Sequence, residues 1–185
     1  MSRQYFADVL TEPVNAPYTT ITATTETVLI PTAFTPINAM EPRGGKVYEL
    51  WAGGTCTTGT AGTLNITARF GTTIGGTALN GATGTAGNPS QNYVPSITTA
   101  PFVLHCLLVV RSLGLPGANS TVVCSGVWHS GGAVATAASE TAVIFGTVGG
   151  AISVDTSVAQ ALWVGVTFSV APSVIPQWHM WRSLN

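Results

Sequence analysis

Thr, Gly, Ala, Ser and Val dominate this chain, while the good helix formers Lys, Glu, Gln and Arg are scarce, and that imbalance narrows the fold before any motif is considered. The β-branched Thr and Val favour pleated backbone, because two heavy atoms on Cβ restrict χ1. Gly and Pro recur about every ten residues, the turn spacing of an all-β sandwich or barrel. No window of useful length carries apolar residues at the helical period. An all-β fold is predicted.

Residues 63–70 make the clearest strand: Leu64, Ile66, Ala68 and Phe70 alternate with Thr63, Asn65, Thr67 and Arg69, as in a half-buried strand. Residues 161–170 repeat the pattern, with Leu162, Val164, Val166, Phe168 and Val170 inward and Trp163, Gly165, Thr167 and Ser169 outward. Further strands are predicted near 19–30, 46–51, 102–111, 121–128, 142–148 and 174–182, for a total of about eight. The stretch 53–60, Gly-Gly-Thr-Cys-Thr-Thr-Gly-Thr, reads as a hairpin loop, since a phosphate cradle would need a Gly-Lys-Ser/Thr ending and a following helix. Residues 72–92 and 131–139 read as long uncharged loops. Pro13 and Pro17 mark the first eighteen residues as an extended arm, and Pro31, Pro36 and Pro42 mark an irregular lead-in. The expected organisation is therefore an arm and lead-in over 1–42 and one sandwich over 43–185.

Residues 102–110 and much of 174–181 are apolar on both faces. One face of a sandwich strand meets the core and the other usually meets water, so these strands need a second cover. A neighbouring subunit supplies it most economically; an internal loop folded over the sheet is the alternative. The charge content agrees with the first. The chain has six Lys+Arg and seven Asp+Glu, 7% in all, Lys46 is the only lysine, and residues 70–110 carry no formal charge. A soluble domain typically has about a quarter of its residues charged, which keeps copies apart. A net charge of −1 with singly scattered basic residues argues against nucleic acid. The longest apolar run, 101–110, is half of the ~20 residues a membrane-crossing helix needs. The opening Met-Ser-Arg-Gln-Tyr-Phe-Ala-Asp predicts no secretion signal.

Candidate chemistry is thin. Ser130 follows His129, but Trp128 stands where a nucleophile elbow needs Gly, and neighbouring strand residues point to opposite faces. A set drawn from Ser130, His105 or His179, and Asp155 has no supporting spacing. His105, Cys106, Cys124 and His129 include no paired zinc-ligand spacing. Cys106 and Cys124 lie about equally far from the turn at Leu115-Pro116-Gly117, so a cross-strand bridge is conceivable. The alternative is two small buried apolar residues in a reduced protein. Trp163, Trp178 and Trp181 are candidates for sugar stacking, for contact between proteins, or for the core.

Val154-Asp155-Thr156, Ala159-Gln160, Leu162, Val164, Val166 and the closing Leu184-Asn185 resemble a recurrent ending of structural proteins of tailed bacteriophages. Residues 43–50 and 62–71 look like the matching early strands, so the resemblance spans most of 43–185. It implies a jelly-roll domain, often trimeric, carried on the virion. The expected protein is a non-enzymatic capsid decoration (cement) protein, made in the host cytoplasm and placed on the capsid exterior. Its expected partners are its own copies, as a homotrimer, and the major capsid protein, with no nucleic acid, membrane, metal or cofactor. Shell attachment is expected through Tyr5, Phe6, Val9 and Leu10 of the arm, and subunit contact through Leu107, Val109, Trp163, Trp178 and Trp181. The alternative is a tail or fibre component that contacts the host surface, with sugar binding at the tryptophans. An enzyme on the same scaffold would need paired carboxylates, and only Asp8 with Glu12 and Glu41 with Glu49 lie near each other in sequence.

Overall fold

Two antiparallel sheets pack face to face in the computed structural model, which describes residues 7–11, 18–59, 61–82, 84–93, 97–114, 120–131 and 141–184. In chain order the strands are β1 (Ala7–Thr11), β2 (Thr27–Val28), β3 (Pro36–Ile37), β4 (Val47–Thr58), β5 (Gly62–Phe70), β6 (Thr77–Ala78) and β7 (Gln91–Tyr93). They continue with β8 (Ile97–Ser112), β9 (Ser120–Ser130), β10 (Thr141–Gly146), β11 (Ile152–Val154), β12 (Gln160–Phe168) and β13 (Pro172–Leu184). The seven-stranded sheet runs β1-β13-β4-β8-β9-β10, with β11 also on β9. The six-stranded sheet runs β2-β12-β5-β6, with β3 on β12 and β7 on β5. The β4–β5 and β12–β13 pairs lie side by side, β4 on β13 in one sheet and β5 on β12 in the other, which gives the jelly-roll-like wrap.

The alternation read from the sequence sets the inner faces. Leu64, Ile66, Ala68 and Phe70 of β5 and Leu162, Val164, Val166 and Phe168 of β12 are all buried. From the other sheet come Leu50 and Ala52 of β4, Leu104, Cys106 and Leu108 of β8, and Trp128 of β9. Phe102 stacks on Trp128 at 4.2 Å. Cys106 faces Gly126 and Cys124 faces Leu108, so the two thiols sit diagonally and are unbridged. Burial pushes the Cys124 thiol up to about 11.

Three expectations about organisation change. The stretch 53–58 is not a hairpin loop: β4 runs through it to Thr58 and pairs with both β13 and β8. Its glycines leave room for neighbours: the Trp178 indole lies where a Cβ on Gly53 would stand, and the Ile175 carbonyl lies where one on Gly54 would. A bulge between Pro176 and Trp178 marks the same spot on β13. The division at residue 42 also does not follow the packing, because Ile21, Leu29, Ile30 and Ile37 belong to the core. Finally, β1 pairs with β13 inside the chain, so the backbone around Val9 and Leu10 is an edge strand and not an unpaired arm. Tyr5 and Phe6 lie outside the described residues, as does nearly all of the loop expected at 131–139.

The loop expected at 72–92 closes over the six-stranded sheet. Between β6 and β7 the Asn80 amide takes the place of a strand, accepting from the Ala68 N–H at 3.0 Å and donating to the Ile66 carbonyl at 2.7 Å. Asn88 donates to Thr67 Oγ1 at 3.2 Å and Asn65 to Ser90 Oγ at 3.0 Å. The outward side chains Asn65 and Thr67 are consequently buried.

Candidate functional site

The back of the seven-stranded sheet is where the unusual side chains gather. The register lays them out in rows across the strands. One row is Met180, Trp51, His105, Val127 and Ile144; the next is Arg182, Glu49, Leu107 and Ser125. Beyond them lie Leu184, Val47, Val109 and Val123 on one side, and Trp178, Gly53, Val103 and His129 on the other. Val103 is 39% exposed and Ile144 72% exposed. An apolar back on this scale is unusual for a sheet face turned away from its own core.

Glu49 sits within this surface and is only 6% exposed. Arg182, directly across from it on β13, donates Nε–H to Oε2, and His105 reaches Oε1 diagonally at 2.8 Å. The Trp51 side chain makes a third hydrogen bond to it, and its ring stacks on His105 at 4.0 Å. Burial pushes the Glu49 carboxyl up, but these hydrogen bonds and the Arg182 charge outweigh it, leaving its pKa below the ordinary carboxylate value. The cluster compensates its own charge and presents no unpaired carboxylate.

A second carboxylate ties the lead-in to the sheet. Glu41 accepts from Lys46 Nζ at 2.8 Å, from the Tyr48 hydroxyl at 3.2 Å and from Asn38 Nδ2 at 2.9 Å. Burial raises its pKa, but the Lys46 and Asn38 contacts lower it by more, for a net depression. Depressed carboxylates stabilise the fold above their unfolded pKa, and that contribution is lost as pH falls through the folded value. The melting temperature is therefore expected to decline gently from pH 7 to about 5, because buried His179 resists the proton that the unfolded chain takes up at about pH 6.5, and to fall further below pH ~4.3, the unfolded carboxylate value. Glu49→Gln should flatten that fall; a wild-type melting temperature unchanged down to pH 3 would contradict the account.

The remaining sequence candidates separate. Leu107 and Val109 lie on this outer face, half-buried, and Trp178 lies there across Gly53. Trp181 is a core residue and not a contact residue: it is fully buried, stacks on Tyr48 at 5.4 Å and donates Nε1–H to the Pro36 carbonyl at 3.0 Å. Trp163 is on the other sheet and is covered by its own chain, under Arg69, whose guanidinium pairs with Glu26 at 2.8 Å. Ser130 is buried while His129 points outward, His179 contacts the Tyr18 hydroxyl, and Asp155 bonds Ser157 Oγ at 2.6 Å. His105 and His129 point away from the core into which Cys106 and Cys124 point, so the paper zinc set falls on two faces of one sheet. No group of three His, Cys, Asp or Glu suited to a metal occurs among the described residues.

Sequence reasoning missed Trp51 and Met180, and singled out Glu49 only as a neighbour of Glu41 in sequence. Their parity with Val47 placed Glu49 and Trp51 on one face, but nothing local signalled that a carboxylate there would be desolvated. Compared with known proteins, the chain matches no family model, no curated protein and no solved structure.

Proposed function

We propose that the chain is a non-enzymatic structural protein of a tailed-bacteriophage particle, a trimeric decoration (cement) protein bound to the major capsid protein on the outside of the head. The observation that carries this reading is the largely apolar back of the seven-stranded sheet, in a chain with only 7% charged residues. Such a surface stabilises an assembled state by the area it removes from water. The resemblance of most of residues 43–185 to phage structural proteins supports the choice of particle. With β1 engaged in the sheet, attachment to the shell falls to the residues ahead of it, Tyr5 and Phe6, more than to Val9 and Leu10.

The test is to strip particles of the protein, return the purified chain, and measure co-sedimentation together with native mass. The expected result is stoichiometric rebinding by three copies of the 19.0 kDa chain. A stable monomer that stays in the supernatant would overturn the proposal. The half-buried Trp178, diagonal to Trp51 in the register of β13 on β4, favours a second reading as a tail or fibre component that stacks sugars. Retention on a glycan array, abolished by Trp178→Ala, would select that reading instead.

A further inference from the structure

We infer that the outer face of the seven-stranded sheet is where one copy of this chain meets another. The two sheets treat their backs differently. The six-stranded sheet closes its own, with Asn65 and Thr67 each 4% exposed under the 80–90 loop and Trp163 5% exposed under Arg69. The seven-stranded sheet leaves Val103 and Ile144 in water.

Size and charge identify the occupant. Five adjacent strands, β13, β4, β8, β9 and β10, and the stretch from Val47 to Gly53 bound the face. At ~4.8 Å per strand and ~3.3 Å per residue that is roughly 550 Å² before side-chain relief is counted. A standard interface uses about 800 Å² per partner, so the face with its margins is of the size a stable association needs. Its central charges are matched internally, Glu49 by Arg182 with His105 beside them. A strongly acidic or basic partner gains no complementary field there, whereas a second copy can be laid against it without opposing like charges.

The inference deepens the functional reading above and rests on its self-association. The experiment is sedimentation velocity and native mass on Val103→Asp plus Ile144→Asp. Both positions are exposed in the single chain, so the variant should fold, as checked by circular dichroism. The control is Ile74→Asp plus Val158→Asp, at positions 53% and 49% exposed and off this face. The face variant should weaken association by about 100-fold or more, because it buries unpaired carboxylates, while the control stays at the wild-type assembly. A folded face variant that keeps the wild-type assembly overturns the inference, as does a control that dissociates equally. If the face variant keeps its assembly but loses the shell, the face belongs to the capsid and not to a second copy. A wild-type monomer that still binds shells refutes this inference and leaves the attachment to the capsid standing. Dissociation as expected, with no shell binding by the wild type, does the reverse.

Discussion

Leu104→Asp and Leu108→Asp are each expected to yield no folded protein, whereas Leu107→Asp and Val109→Asp should fold. The four positions share one strand and differ only in parity. Leu104 lies between Ala52 and Trp128, and Leu108 between Tyr48 and Cys124, and both are fully buried. A carboxylate there loses its hydration and meets no cation among these neighbours, at a cost of several kcal/mol. That is a large part of the ~5–15 kcal/mol that holds a domain together. Leu107 and Val109 face outward and keep partial contact with water, so an Asp there stays hydrated in the single chain; at 107 it also faces Glu49, a like-charge pairing that lowers stability by less than a core carboxylate does. Soluble yield and near-ultraviolet circular dichroism read the difference. A Leu104→Asp protein with a wild-type melting curve would show that the parity of β8 has been misread.

Trp181→Ala is expected to be the most damaging truncation, at about 3–5 kcal/mol. The indole fills core space against Tyr48, and its N–H satisfies the Pro36 carbonyl, which fastens β3 and the lead-in to the sandwich. Removing it leaves a cavity and an unmet carbonyl together. For a domain of this size each kcal/mol moves the melting temperature by about 2–4 °C, so a fall of roughly 10 °C is expected. Trp181→Phe keeps most of the ring and loses the hydrogen bond, a loss of about 0.5–1.5 kcal/mol before repacking. If the two substitutions proved equally costly, the hydrogen bond and not the packing would be the main contribution.

The sequence by itself determined the class of fold and the inner face of its most regular strands. Alternation is a local property: once residues 63–70 and 161–168 are extended, successive side chains must point to opposite sides, and only one set is apolar. The same reasoning found the two-faced character of residues 102–110. Tertiary structure decided the rest, because those features depend on what a distant strand places overhead. Gly53 and Gly54 look like turn residues until Trp178 and Ile175 arrive across the sheet and make glycine the residue that fits a strand. Residues 7–11 look like a free arm until β13 offers its edge. The Trp178 and Trp181 pair has opposite parity in the sequence, yet only the register across β4 sends Trp181 into the core and lays Trp178 on the outer face. Glu49 reads as a solvated charge until Arg182, 133 positions away in the chain, is brought opposite it. Periodicity reports the side to which a residue points; which neighbour meets it there is fixed by pairing between segments far apart in sequence, and that pairing is settled by the packing of the whole sandwich.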